Sequence, residues 1–289
     1  MYTDKNGTKR YKVGLHIHTT VSDGQLPPKE VIARYKSAGY DVIALTDHWK
    51  YHGEDRIDGV KILSGCEFNL GGGDTSDCVM HIVGVGMRYA PALTPNNTRQ
   101  EVIDGIRAAG GIAILAHPMW SLNTPEHALE LDGFAATEIY NTVSGLHQSF
   151  RAYSGCFVDL LANKGRAYPL VAADDSHYYD GDECRSYIMA AAESDSTSDI
   201  LKAIENGDFY ATQGPELLVK RENGKLIVDC SPSEEIFFMS NSAWEPDHAI
   251  RGEGLTHAEY QPSYHEKWIR VEIRHGNDFA WSNVIWVNE

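Results

Sequence analysis

The chain has 289 residues, 42% hydrophobic and 23% charged, the balance of a soluble globular protein large enough to bury a substantial core. Its formal charge of −16 stays strongly acidic even with two or three divalent ions bound, which excludes an extended nucleic-acid surface while leaving room for a local pocket for one small anion. No run approaches the length of a membrane span, the opening residues are polar, and the five cysteines (Cys66, Cys78, Cys156, Cys184, Cys230) are scattered without a CxxC pair; the expectation is a cytoplasmic protein with reduced thiols.

From residue 13 to about 173 the chain repeats one pattern: an apolar run, a polar residue at its end, then a helix-like segment. Val13 to Leu15 leads into His16, and Val42 to Leu45 into Thr46-Asp47-His48. Ile62-Leu63 leads toward Glu67, Val79-Met80 into His81, and Ile112 to Ala116 into His117. Phe134 to Ala136 precedes Glu138, and Leu170 to Ala173 precedes Asp174. Seven nearly uninterrupted apolar runs predict parallel strands covered on both faces. Between them, Pro28 to Ala38, Asn96 to Ala109 and Leu146 to Asn163 have amphipathic spacing, with cap residues around Thr94 to Thr98 and a stop at Gly110-Gly111. Polar strand ends spread over so long a stretch meet at one point if the sheet closes, so an α/β fold with the site at the C-terminal end of a barrel is expected.

After Gly214-Pro215 the pattern changes. Glu216 to Val219, Lys225 to Asp229 and Glu235 to Met239 read as short strands, and Trp268 to Arg274 pairs with Ala280 to Val287 across the turn His275-Gly276-Asn277-Asp278. The division expected is 1–214 for the barrel and 215–289 for a small antiparallel β appendage, with Trp244, Trp268, Trp281 and Trp286 serving packing.

His16 and His18, two apart on a strand, point to the same face and can share a divalent metal. Asp175 and His177 share a face for the same reason. Asp47 and His48 point oppositely if their strand continues, so only one of that pair should ligate. Further donors recur down the chain: Asp23 in Ser22-Asp23-Gly24, Glu67 after Cys66, His81, and His117 in Ala116-His117-Pro118. No G-x-S-x-G elbow, P-loop or dinucleotide fingerprint accompanies them, so water rather than a side chain is the expected nucleophile.

The order HxH…SDG, TDH, CE, an apolar segment with His, AHP and DxH resembles the PHP (polymerase and histidinol phosphatase) family over roughly residues 11 to 214. The tail, including Ala280-Trp281-Ser282-Asn283, looks like the branch of carbaryl-hydrolase-type metallohydrolases. The resemblance implies a distorted seven-stranded (β/α) barrel and hydrolysis of phosphate esters at a centre of two or three divalent ions, Zn, Mn or Fe. It further implies that His16, His18, Glu67 and Asp175 hold one metal, with Glu67 bridging to a second completed by His81 and His117. Asp23, His48 and His177 would make a third position. Asp175 and Glu67 would then be the catalytic carboxylates. Glu138 and Asn141 are placed at the pocket, Asn141 as a substrate contact or as a residue orienting a ligand, and Arg185 as a clamp for an anionic group. His52, His127, His147, His248, His257, His265 and His275 match no motif and are expected at the surface.

A centre of this composition keeps a net positive charge after its carboxylates are counted, so it favours a small anionic substrate. Hydrolysis of a small phosphate mono- or diester is the first reading, and hydrolysis of a carbamate or carboxylic ester the alternative. A non-catalytic or DNA-linked module and a carbohydrate-binding protein stand behind these.

Overall fold

The computed structural model describes residues 1–71 and 79–287; Cys78 lies outside the described residues. The chain runs β1 (Tyr2–Thr3), β2 (Lys9–Gly14), α1 (Pro28–Ser37), β3 (Val42–Ala44), β4 (Asp55–Ile57), β5 (Val60–Leu63), β6 (Gly65–Leu70), β7 (Met80–Val85), α2 (Arg99–Ala108) and β8 (Ile112–Leu115). It continues through α3 (Pro125–Leu129), β9 (Phe134–Asn141), a π-helical turn (Ser144–Gln148), α4 (Gly155–Asn163), β10 (Leu170–Ala173), β11 (Tyr187–Ala191), α5 (Thr197–Asn206) and β12 (Phe209–Thr212). The remainder is strand: β13 (Leu217–Glu222), β14 (Lys225–Ser240), β15 (Ala249–Tyr260), β16 (Trp268–His275), β17 (Asp278–Trp281) and β18 (Ile285–Trp286). No helix of the described residues is long and apolar enough to cross a membrane.

Each of the seven apolar runs becomes a strand, and β3, β5, β8 and β10 are buried along their whole length. Alternation divides β3 between two cores. Val42 and Ala44 enter the largest cluster, whereas Ile43 and Leu45 join Val31, Ile32 and Tyr35 of α1. Helix α2 starts at Thr98, whose hydroxyl accepts from the Glu101 amide while Glu101 returns a bond to the Thr98 amide. The segment expected as one helix over 146 to 163 is broken. Tyr153 folds back to pair with Tyr140, and only a glycine fits at 155, where a Cβ would lie 2.1 Å from the Tyr153 ring.

The strands do not close into a barrel among the described residues; they form two sheets. One has the order β13-β14-β16-β17-β12-β11-β2-β3-β5-β4, and the other β10-β9-β8-β7-β6. Both contribute to one core, Val13 and Val42 from the first packing with Met80, Ile82 and Ile114 from the second. Two local causes replace the expected closed parallel barrel. The edge of β2 away from β3 is taken by β11 (Val13 opposite Ile188), so β10 has no ladder to join there. Strand β7 runs antiparallel to both β6 and β8, so a hairpin stands where the repeated pattern implied a parallel crossover. The sheets instead meet at isolated bridges, Ile17 with Ser176 and His48 with Glu67, just where the polar strand ends lie.

The C-terminal strands continue the first sheet through the β12–β17 pairing and carry a second core around Leu217, Val228, Phe238 and Val271. The two short strands expected at 225 to 239 are one, bulged between Asp229 and Glu235 around Pro232. Strand β15 was not legible because most of it is exposed, with only Ala258 and Tyr260 buried. Trp268 and Trp281 are buried, the latter stacked on Tyr140, but Trp244 stands 76% exposed.

Candidate metal centre

Backbone hydrogen bonds assemble the motifs before any side chain acts. The Asp175 amide donates to the His16 carbonyl (2.9 Å) and the His18 amide to the Ser176 carbonyl (3.0 Å), which sets HxH beside DxH. The Trp49 amide donates to the Glu67 carbonyl (2.9 Å), and the Ala116 amide to the His81 carbonyl (3.1 Å). His117 and Asp175 take left-handed backbone angles (φ 25° and 53°), strain of a kind that concentrates at functional sites. Gly24 has no substitute, since a Cβ there would sit 2.6 Å from the His18 carbonyl carbon.

Nine predicted donors converge. His16 Nε2 lies 3.2 Å from Glu67 Oε1 and 3.1 Å from Asp175 Oδ1; His18 Nε2 lies 3.1 Å from Glu67 Oε2 and 3.2 Å from the same Asp175 oxygen. His48 Nδ1 is 3.1 Å from Glu67 Oε2, and His81 Nδ1 is 2.9 Å from Glu67 Oε1. His117 Nε2 reaches 3.5 Å from Glu67 and 3.6 Å from Asp175. At the mouth, Asp23 Oδ2 lies 3.4 Å from His177 Nε2 and 3.6 Å from His48 Nε2, with its side chain half exposed.

Three sets bring donor atoms within 4.8 Å of one another: His16, His18, Glu67 and Asp175; His48, Glu67 and His81; and His18, Asp23, His48 and His177. The first is the expected grouping, and the third holds the expected Asp23, His48 and His177 with His18 added. The second has His48 where His117 was expected, because His48 turns Nδ1 to Glu67 and Nε2 to Asp23.

The chemistry of these sets fits a divalent metal. His16 Nε2, His18 Nε2, His48 Nδ1 and Asp175 Oδ1 are buried without a hydrogen-bond partner, although neighbouring donors stand about 3 Å away. Ligands held at about 2.0–2.2 Å by one tetrahedral ion lie roughly 3.3–3.6 Å apart, close to these separations. Burial alone would discharge His16 and His18, yet Asp175 and Glu67, with Glu138 at His16 and Asp23 at His18, push both imidazoles well above the usual range. Burial likewise works against Glu67 and Asp175, which the surrounding imidazoles hold well below the usual carboxylate range. The two carboxylates demand cations, which either protons on histidine or a metal ion can supply.

Around these donors lies a second layer that fixes their orientation. Glu138 Oε1 is 2.7 Å from His16 Nδ1, while Oε2 accepts from the His117 amide and from Asn141 Nδ2, both at 2.8 Å. His177 Nδ1 is 2.6 Å from the Asp175 carbonyl oxygen, which turns Nε2 to the cleft. Asp47, the other half of the Asp47-His48 pair, is buried and accepts from the Thr19 amide (2.8 Å), the Ser22 amide (3.0 Å) and both hydroxyls (2.7 Å each). Burial pushes its carboxyl up, but His52 and these donors bring it down to about 2. His52, expected at the surface, is half-buried with Nε2 2.6 Å from Asp47; nothing in its local sequence signals that.

Two expected substrate contacts are not placed as such. Asn141 is fully buried and occupied: it donates to Glu138 and Asp175 and accepts from Ser144, so it orients rather than binds. Arg185 does not reach the cleft. Asp174 accepts from the amides of Cys184, Arg185 and Ser186, which pins this loop so that the Arg185 side chain faces Asp278 at 3.9 Å. Three residues that line the cleft escaped the sequence reading, Trp120, Gln148 and Tyr178. Trp120 three places after His117 and Tyr178 next to His177 carried a positional signal; Gln148 had none.

The PHP domain model matches residues 14–180, which holds all nine donors. The chain belongs to the PHP domain family. A 5'-3' exoribonuclease from Haemophilus influenzae is 34% identical over 108 residues, 35% of this chain, which therefore spans about 38% of that protein's length. A crystal structure from Bacteroides vulgatus, described as a two-domain protein containing a predicted PHP-like metal-dependent phosphoesterase, superposes with a TM-score of 0.55 at 14% identity over 98% of this chain and 97% of its own, a likeness of fold. An amidohydrolase from Chromobacterium violaceum, solved with sulfate, shares 17% identity over 59% of this chain and 89% of its own, at a TM-score of 0.41. PHP membership together with the buried His/Asp/Glu cluster supports a metal-dependent hydrolase.

Proposed function

We propose that this PHP protein hydrolyses a small phosphate mono- or diester at a centre of two or three divalent ions. The observation that carries the reading is the set of buried, unpartnered donor atoms on His16, His18, His48 and Asp175, aimed at one another around Glu67. His16, His18, Glu67 and Asp175 would hold one ion, and Glu67 with His81 and either His48 or His117 a second. Asp23 and His177, with the cleft-facing nitrogen of His48, would serve a third at the mouth. Zn, Mn and Fe all suit this mixture of imidazole and carboxylate. Bound there, such ions supply Lewis acidity toward a phosphoryl oxygen and water that ionises near neutral pH.

The protein's own contribution is orientation and proton handling. Glu138 and the Asp175 carbonyl present the cleft-facing nitrogens of His16 and His177. Asp175 is the proposed proton acceptor from the attacking water, with Asn141 holding its second oxygen at 3.2 Å. The reading is in keeping with the Haemophilus relative, which is described as a 5'-3' exoribonuclease.

The test is a side-by-side assay of Mn- or Zn-loaded protein on 4-nitrophenyl phosphate, bis(4-nitrophenyl) phosphate and 1-naphthyl N-methylcarbamate. Turnover of a phosphate ester, lowered on the order of 10²–10⁴-fold in Asp175→Asn with metal content retained, supports the reading. Turnover of the carbamate alone moves the protein to the ester-hydrolase alternative. A metal-loaded protein inert on all three sinks both.

A further inference from the structure

The C-terminal strands reach the centre from behind, through one short segment. Beyond Thr137, the last β8 partner of β9, residues 152–154 run alongside β9: the Asn141 amide donates to the Ala152 carbonyl (2.9 Å) and the Ser154 amide to the Ile139 carbonyl (2.8 Å). The segment touches two other parts of the site. Ser154 Oγ accepts from the Met119 amide (3.4 Å), two residues past His117, and a Cβ on Gly145 of the π-helical turn would meet the Ala152 Cβ at 2.8 Å. Asn141 carries the contact inward, donating to Glu138 (2.8 Å) and to Asp175 (3.2 Å). At the middle of the segment Tyr153 is 41% exposed, so burial of its ring does little to fix it. Its hydroxyl does more, donating to Glu272 and accepting from Arg270 Nη2 (3.2 Å). Both partners are buried on β16, and Arg270 is itself held by two bonds to Asp159 of α4 (2.6 and 2.8 Å). Hydrogen bonds to charged groups are among the strong ones, and more so in a buried network.

We propose that Tyr153 is a positioning residue of the metal centre: gripped by Arg270 and Glu272, it sets Asn141 and, through Asn141, the orientation of Asp175. The C-terminal strands are then part of the frame of the site rather than an appendage to it. Without the hydroxyl, residues 152–154 loosen from β9, and Asn141 presents Asp175 less well. The inference deepens the phosphoesterase reading, which rests turnover on Asp175, but its first readout is metal binding, which does not depend on that reading.

Tyr153→Phe removes the hydroxyl, keeps the ring and leaves Arg270 paired with Asp159 and Glu272. The Asn141 and Ser154 amides should then exchange hydrogen roughly 10–100-fold faster, the factor that a hydrogen bond to a charged group contributes. Zn affinity, measured against a chromophoric chelator, should fall roughly three- to tenfold; losing an outer partner outright costs about 10–100-fold, and here Asn141 is shifted rather than removed. On 4-nitrophenyl phosphate kcat should fall by a similar factor with KM little changed. Glu272→Gln keeps an acceptor for the hydroxyl and should lie closer to wild type than Tyr153→Phe in each measurement. The deciding comparison is made in an Asn141→Ala background. There Tyr153→Phe should lower Zn affinity and kcat no further, whereas a merely structural role adds its full effect on top. Additive effects, or unchanged Zn affinity in Tyr153→Phe alone, overturn the inference. If Asn141→Ala takes up no Zn, the single variants decide, and equal losses in Tyr153→Phe and Glu272→Gln overturn it. If no phosphate ester is turned over but the Zn affinities are non-additive, the positioning role stands and the phosphoesterase reading falls.

Discussion

Replacing Glu138 by glutamine changes one atom and leaves the volume of a fully buried side chain intact, so its effect reads hydrogen bonding alone. The carboxylate serves three partners: His16 Nδ1 at 2.7 Å, the His117 amide at 2.8 Å and Asn141 Nδ2 at 2.8 Å. A glutamine can turn its oxygen toward the His117 amide and Asn141, which puts its NH₂ against His16 Nδ1. That nitrogen must then accept, the proton moves to Nε2, and the atom facing Glu67 and Asp175 can no longer bind a cation. The opposite rotamer sets the NH₂ against two donors, each left buried and unsatisfied at about 1–3 kcal/mol. The first arrangement costs less and converts the defect into metal affinity. Loss of such an outer partner weakens binding by about 10–100-fold, or roughly 1.4–2.8 kcal/mol. Competition between Glu138→Gln protein and a chromophoric chelator for Zn measures it directly, with circular dichroism to show that the fold is kept. An affinity within twofold of wild type would refute the claim that Glu138 sets the His16 tautomer.

Other perturbations address the frame. Gly24→Ala forces a Cβ to 2.6–2.7 Å from the His18 carbonyl and the Thr19 amide, both backbone; a loss of about 1–3 kcal/mol with reduced metal content is expected by thermal melting and elemental analysis, and a normal melting point with full metal would contradict it. Arg270 is fully buried, donating from Nε and Nη2 to Asp159 (2.6 and 2.8 Å), from Nη1 to Glu272, and from Nη2 also to the Tyr153 hydroxyl. Arg270→Ala strands two acids between α4 and β16 and should cost about 3–5 kcal/mol in urea denaturation; a loss below about 1 kcal/mol would show that water reaches them. Burial pushes the Asp4 carboxyl up, but Arg10 and the Thr8 and Asn6 amides bring it below its ordinary 3.8. Its charge therefore stabilises the fold above pH 3.8 and stops doing so as pH falls through the lower folded value. Asp4→Asn should cost on the order of 1–2 kcal/mol at pH 7, the gap to wild type closing below pH 3.8; a gap constant from pH 7 to pH 3 would show that shape rather than charge matters there.

Local pattern alone determined a great deal about this protein. Buried strands announce themselves as short apolar runs, so all seven were legible, and the period of two placed His16 with His18 on one face regardless of fold. Cap residues around Thr94 to Thr98 were legible for the same reason, since the hydrogen bonds of a helix start span three positions, and the structure sets the cap at Thr98 with Glu101 as its return partner. What the runs could not carry was the partner of each strand. A strand covered on both faces looks the same whether its neighbour is parallel or antiparallel, so the reversal of β7 and the capture of β2 by β11 came only with the tertiary structure. The same limit governs the centre. Donor types at strand ends are visible one by one, but Asp47 serving Thr19, Ser22 and His52, Asn141 spent on Glu138 and Asp175, and Arg185 turned to Asp278 depend on which loops meet. Hydrogen bonds between residues far apart in the chain leave no periodic trace in it, and only the folded backbone decides which polar group remains unpaired and free to bind.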